Sequence, residues 1–262
     1  MSYIVRPKKS LGQHFLIDLN IAQAIADTLD NYKNTPILEV GPGMGVLTQY
    51  LLSKGHDLTV VELDHESIEY LQENFPELKG HILEEDFLKL DLSKLFSGNF
   101  CVIGNYPYNI SSQIFFKVLE YKDHIPCCSG MIQKEVAERM AAPPGSKTYG
   151  ILSVLLQAWY EIKYLFTVPE HVFNPPPKVK SAVIRLTRNE RVELGCEEKL
   201  FFNVVKTGFN QRRKTLRNSI RGIIPPGFDS PYLNLRPEQL GITDFLQLCQ
   251  DIEKNRNIGD KA

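Results

Sequence analysis

The segment from Pro36 to Glu62 restricts the possible folds more than any other. Pro36-Ile37-Leu38-Glu39-Val40 reads as a short buried strand and passes straight into Gly41-Pro42-Gly43-Met44-Gly45. Val46–Leu52 then carries apolar residues at helical spacing, and a second apolar run, Leu58–Val61, stops at Glu62. Glycines in such a loop accept positive φ and let a ligand approach the backbone closely. Strand, glycine loop, helix, strand and terminal acid predict half of a doubly wound, mostly parallel α/β sheet with its ligand site at the strand ends.

The terminal acid narrows the ligand. A carboxylate about twenty residues past the loop is placed to bind ribose hydroxyls, so Glu62 points to a nucleoside. This leaves NAD and S-adenosylmethionine both open, because each presents an adenosine ribose. The loop itself departs from the dinucleotide spacing G-x-G-x-x-G, and Pro42 has no N–H to offer a pyrophosphate. Glu39 would repel phosphate and suit an ammonium or sulfonium ligand. Downstream, His81–Phe87 reads as another short strand ending in acids, with Asp86 placed to accept from an adenine amino group. Glu62 to Asp91 holds ten acids against Lys79 and Lys89, and most of these are expected to form a solvated face.

The apolar run Phe100-Cys101-Val102-Ile103 leads into Asn105-Tyr106-Pro107-Tyr108. A carboxamide oxygen, a stiff proline turn and a flat aromatic face together make a slot for a planar base with an exocyclic amine. Ordinary turn chemistry would use the same residue types. A third landmark is Phe173-Asn174-Pro175-Pro176-Pro177-Lys178, where three prolines could hold Phe173 out as an aromatic wall or brace a core phenylalanine.

The chain has 262 residues, enough for one large core and a small second one. It contains no run of eighteen apolar residues and no signal-peptide core, so neither a membrane span nor export is expected. Five cysteines without C-x-x-C spacing suit a reducing, cytoplasmic compartment, and six scattered histidines give no metal pattern. Net charge is only −1, but its distribution is uneven. Lys199 to Arg221 holds seven cations (Lys199, Lys206, Arg212, Arg213, Lys214, Arg217, Arg221) and no acid. Helical spacing from Leu200 to Ile220 predicts one helix that buries Phe202, Val205, Phe209, Leu216 and Ile220. Its arginines would then form a phosphate-tracking face.

Further helices are expected over Leu19–Leu29 (begun by Asp18), Ser111–Tyr121, Gln133–Met140 and Tyr149–Trp159. Glu161–Val168 and Val179–Leu186 should form an antiparallel pair that closes the sheet. Arg188–Gly195 is polar enough to be a linker. The predicted organisation is therefore a domain over 1–188 and a small all-helical domain over 189–262, with helices at Arg236–Leu240 and Thr243–Ile252 past the Pro225-Pro226-Gly227 turn.

Six motifs occur in one order: Ser10–Leu16, Glu39–Gly45, Val61–Asp64, Gly104–Asn109, Phe173–Ser181 and Phe209–Leu216. In this the chain resembles the ribosomal RNA adenine dimethyltransferases, the bacterial KsgA type in particular, from about Lys8 onward. The resemblance implies a Rossmann-like methyltransferase domain over 1–188 that binds S-adenosyl-L-methionine, and a helical RNA-binding domain over 189–262. It implies transfer of methyl groups to the N6 amines of two adjacent adenosines in the 3′-terminal hairpin of small-subunit rRNA, with a role in ribosome biogenesis. The substrate would be a pre-ribosomal 30S particle, and the enzyme would act as a cytoplasmic monomer without metal or membrane.

On the same carry-over His14, Leu16, Gly41, Gly43, Glu62, Asp86, Phe87 and Asn105 would hold the cofactor. Asn105, Tyr106, Pro107, Tyr108 and Phe173 would form the catalytic slot, with the base stacked between Tyr108 and Phe173. Lys8, Lys9, Lys178, Lys206, Arg212, Arg213, Lys214, Arg217 and Arg221 would contact RNA. The family usually has asparagine in place of His14 and leucine in place of Tyr106. Three alternatives stand beside this reading: an Erm-type large-subunit methyltransferase, a nicotinamide oxidoreductase and a non-catalytic ribosome-assembly factor.

Overall fold

The computed structural model describes residues 5–8 and 11–259. Central apolar runs become the middle of a seven-stranded sheet. Strands β2 (Ile37–Val40), β3 (Leu58–Glu62), β4 (Ile82–Glu84), β5 (Cys101–Asn105), β6 (Cys127–Gln133), β7 (Tyr160–Val168) and β9 (Ser181–Arg188) lie in the order β4-β3-β2-β5-β6-β9-β7. Pairings from β4 through β6 are parallel, and β9 runs antiparallel to β6. β2 and all but the last residues of β5 and β6 are buried, as expected of strands covered on both faces. The two strands predicted to close the sheet, β7 and β9, lie side by side at its edge, β7 outermost.

Helices α1 (Leu19–Asp27), α2 (Thr48–Ser53), α4 (Ser111–Glu120) and α5 (Lys134–Met140) follow the predicted segments, and α3 (His65–Asn74) joins β3 to β4. Asp18 starts α1 as expected, its carboxylate accepting from the N–H groups of Asn20 and Ile21. One small element was not legible. β1 (Phe15–Leu16) pairs with β8 (Phe173–Asn174), Leu16 opposite Phe173, and two residues are too few to show any period.

The chain divides into two compact units. One takes in the chain to Ala137 with Glu161–Arg188; the other takes in Glu138–Tyr160 and the chain from Asn189 on. Helix α6 (Ile151–Gln157) therefore groups with α7 (Glu198–Asn210), α8 (Leu216–Ser219) and α9 (Ile242–Gly259), not with the domain over 1–188 in which the sequence places it.

The single basic helix expected over Leu200–Ile220 is broken. α7 ends at Asn210, the chain turns, and the Leu216 N–H donates to the Leu235 carbonyl, which fixes it outside the α7 ladder. Of the residues predicted to be buried, Val205, Phe209, Leu216 and Ile220 are buried and Phe202 is not. Leu200, Phe201, Val204, Val205, Gly208 and Phe209 are buried, while Phe202 is exposed with the Lys206 ammonium 5.6 Å from its ring centre.

Gly104 and Gly130 lie side by side in the β5–β6 register, and Tyr106 lays its ring across them. A Cβ at Gly130, where φ is +149°, would sit 2.2 Å from the Gly104 carbonyl oxygen and 2.7 Å from the Tyr106 ring. Neither obstacle is a flexible chain end. Gly130→Ala should therefore destabilise the fold by roughly 3 kcal/mol, read as a fall in the urea midpoint, whereas Gly55→Ala, with open space around it, should cost less and only through its backbone.

Candidate active site

Strand order reverses beside β2: the chain moves outward through β3 and β4, then returns to β5 on the other side. A cavity of about 270 Å³ opens at the C-terminal ends of these strands, where a doubly wound sheet leaves its loops apart. His14, Gly41, Gly43, Glu62, Asp86, Phe87 and Asn105 all line it, as do Tyr106, Pro107 and Tyr108. Leu16 and Phe173 do not. Both are buried in the hydrophobic core through the β1–β8 pair, so Phe173 is not a free aromatic wall. The ring beside Tyr108 is instead His14, at 5.4 Å and 30°.

Glu62 is set rigidly. Its Oε2 accepts from the Gly43 N–H at 3.1 Å, and Oε1 accepts from Leu63 and Asp64 at 2.8 and 2.9 Å. Three of about four acceptor positions are thus filled, leaving one for a ligand hydroxyl. Burial raises the Glu62 pKa, and the three backbone donors oppose that rise.

Glu39 behaves differently from its expected role. It is buried behind the loop, where Thr48 donates to it at 2.7 Å, and it does not line the cavity. Burial pushes its carboxyl up to about 8, with Glu62 adding to the rise. It is therefore largely neutral near pH 7 and offers no fixed charge to a cationic ligand.

A strap, residues 11–15, forms one wall that sequence reading resolved only at His14. Gln13 donates to the Asp64 carboxylate at 3.2 Å, and Lys8 is ion-paired with both Asp64 and Glu66. Burial works against the Asp64 charge, but Lys8, Gln13 and Ser67 hold its carboxyl below the usual range. The His14 carbonyl accepts from Asn105 Nδ2 at 3.0 Å, and the His14 ring contacts the Pro175 carbonyl at 2.8 Å. This bond orients the Asn105 amide and leaves Oδ1 as a free acceptor.

Tyr106 turns its side chain inward. Its hydroxyl donates to the Ser129 carbonyl at 2.8 Å and its N–H to the Met131 carbonyl at 3.0 Å, so only its main chain can serve the cavity. The Tyr108 hydroxyl meets Ser181, and burial raises its pKa.

The family model for ribosomal RNA adenine dimethylase matches residues 4–241. The chain belongs to that family. It is 72% identical over 255 residues to the ribosomal RNA small subunit methyltransferase A of Parabacteroides distasonis, covering 96% of each chain. To the protein of that name from Phocaeicola vulgatus it is 67% identical, covering 95% of this chain and 91% of the other. A dimethyladenosine transferase of Plasmodium falciparum shares the fold, with TM-score 0.76, 24% identity, and 93% and 98% of the two chains covered. The 23S rRNA methyltransferase ErmE follows at TM-score 0.66 and 25% identity, covering 91% of this chain and 99% of that one.

Membership of the adenine dimethylase family makes the chain an S-adenosylmethionine-dependent rRNA methyltransferase and removes the nicotinamide alternative. The cavity fits that donor: a rigid carboxylate at Glu62, a second acid at Asp86, and no pyrophosphate-binding nest at Pro42. Among the described residues no group of three or more acids, histidines or cysteines could hold a metal, and no helix is long and apolar enough to cross a membrane.

The basic residues are less uniform than their spacing suggests. Lys178, Lys206, Arg213, Lys214 and Arg221 are exposed. Arg212 donates to the Ser146 carbonyl at 3.2 Å and lies 3.8 Å from Glu238, and Arg217 pairs with Asp229 at 2.7 Å. Their acids come from later in the chain, so the acid-free run is partly neutralised in space. Lys8 is engaged by Asp64 and Glu66, and Lys9 lies outside the described residues.

Glu39 sets a pH dependence. Near pH 4.5 and below, its carboxyl is protonated in the folded chain; above that, the unfolded chain gives up its proton first, so stability is lost as pH rises toward 8. Glu39→Gln removes this loss. The variant should melt with the parent near pH 5 and above it at pH 9, by on the order of a few kcal/mol; thermal melts at both pH values test it.

Proposed function

We propose that the enzyme dimethylates N6 of two adjacent adenosines in the 3′-terminal hairpin of small-subunit rRNA, acting as a cytoplasmic monomer on a pre-ribosomal 30S particle. The observation that carries the chemistry is the clamped amide of Asn105, a residue that lines one cavity with Glu62 and Asp86. The small-subunit assignment draws on relatives of that name at 67–72% identity, against 25% for the 23S enzyme.

S-adenosylmethionine supplies an electrophilic methyl group on sulfur. An adenine amine is a weak nucleophile because its lone pair is delocalised into the ring. Asn105 Oδ1 and the Tyr106 carbonyl would accept hydrogen bonds from its two N–H groups, localise that pair and aim it. Tyr108 offers the face on which the base stacks, worth roughly 1–3 kcal/mol. Alignment does most of the work; the site needs no strong base, since the nitrogen becomes acidic once alkylated and its proton can pass to water. After the first transfer only one N–H remains, and one acceptor suffices.

In this reading residues 1–188 are catalytic and 189–262 bind RNA, with Arg213 and Lys214 gripping phosphates. Asn105→Ala should lower turnover by about a hundredfold or more, about 3 kcal/mol, with much smaller losses in separately measured RNA and donor affinity. Mass spectrometry of the rRNA hairpin after single-turnover reaction reads it; equal losses in affinity and rate would refute a role in the transition state.

Replacing Arg213 and Lys214 by alanine should weaken RNA binding and reduce its salt slope by up to about 0.7–0.9 for each phosphate no longer neutralised. Arg212 is best left in place, because its bond to Ser146 is structural. Filter binding over a salt series, beside a thermal melt, checks this: a parental salt slope would mean that these cations do not touch phosphate.

A further inference from the structure

Lys117 is the one buried lysine or arginine among the described residues, 8% exposed, in the last turn of α4. Burying an ammonium is unfavourable unless it is compensated. Here Nζ donates to the Leu88 carbonyl at 3.2 Å and lies 5.9 and 5.5 Å from the ring centres of Phe87 and Tyr121. Those partners are informative. Asp86, Phe87 and Leu88 line the cavity, and they form a tight turn: the Leu88 N–H donates to Asp86 Oδ1 at 3.0 Å and the Lys89 N–H to the Asp86 carbonyl at 2.9 Å. Just past that turn, Asp91 Oδ1 accepts from the Tyr121 hydroxyl at 3.3 Å. The end of α4 thus grips the 86–91 segment at two points, while its start follows directly on Asn105–Ile110, the opposite wall of the same cavity.

We propose that Lys117 is a positioning residue for the methyl donor: from α4 it fixes the 86–88 wall that receives the donor's adenosine. The proposal rests on the placement of S-adenosylmethionine in this cavity. Lys117 touches neither the donor nor the reacting atoms; it acts through Leu88 and Phe87. Its loss should loosen the wall and cost affinity for the adenosine portion, leaving the Asn105 slot and the RNA surface as they are.

The test compares Lys117→Met, Lys117→Arg and Glu62→Ala in the full chain. Calorimetry with S-adenosylmethionine should show roughly tenfold weaker binding for Lys117→Met, about the worth of one hydrogen bond to a charged group. KM for the donor should rise in step, with kcat and RNA affinity within about twofold of the parent. Lys117→Arg, which keeps a cationic donor, should restore most of the affinity. A lower melting temperature with unchanged donor affinity would overturn the proposal, as would a fall in kcat at saturating donor. If Lys117→Met does not fold, Tyr121→Phe removes the second grip at a less buried site and should weaken the donor about twofold to threefold; parental affinity there overturns the proposal. Glu62→Ala separates the two levels. Unchanged donor affinity in that variant removes the cavity placement itself, whereas a loss there without one in Lys117→Met removes only the role of Lys117.

Discussion

Parallel pairing of β2 on both sides is the constraint on which the sheet and its cavity depend. A parallel neighbour can be reached only by a crossover over one face of the sheet, and here the chain leaves β2 for β3 on one side and crosses back from β4 to β5 on the other. The loops after β2 and β5 must therefore part, and the gap between them is the cavity. The glycine loop, Glu62 and Asn105 meet there because each ends a strand of the same sheet. Remove that pairing and they would be three unrelated polar positions.

Rigidity in the cavity comes from backbone groups more than from side chains. Glu62 is held by three main-chain N–H groups, Asn105 by the His14 carbonyl, and the Asp86 turn by its own amides. Such donors and acceptors lose little on ligand binding because they are already ordered by the fold. Glu39 shows the opposite use of a carboxyl. Enclosed with Thr48 and close to Glu62, it favours the neutral form and so avoids two adjacent charges beneath the loop.

What was legible in the sequence follows from period and from chain order. Continuous apolar runs closed by Glu62, Asp86 and Asn105 mark strands and their ends, and these residues do converge on one cavity. Interactions between distant segments left no such mark. Asn105 and His14 are 91 residues apart, and His14 and Pro175 are 161 apart. Both interactions involve main-chain carbonyls, which every residue type carries. Phe173 had two equal readings beside its prolines, and only pairing with β1 decides for the core. In α7, Phe201 and Phe202 are adjacent, so one step in phase exchanges the buried ring for the exposed one. Arg212 and Arg217 stand unopposed in the sequence because Glu238 and Asp229 come later in the chain.

The strap has a consequence for substitution. Asn105 is held by the carbonyl of residue 14 and not by its side chain, so any residue at position 14 offers Asn105 the same acceptor. Gly12 has no such latitude: at φ +65° a Cβ would come within 2.6 Å of Asn109. Two residues of one short segment thus carry unequal constraint: the hold on Asn105 does not depend on the imidazole, whereas the turn at Gly12 depends on the absence of a side chain.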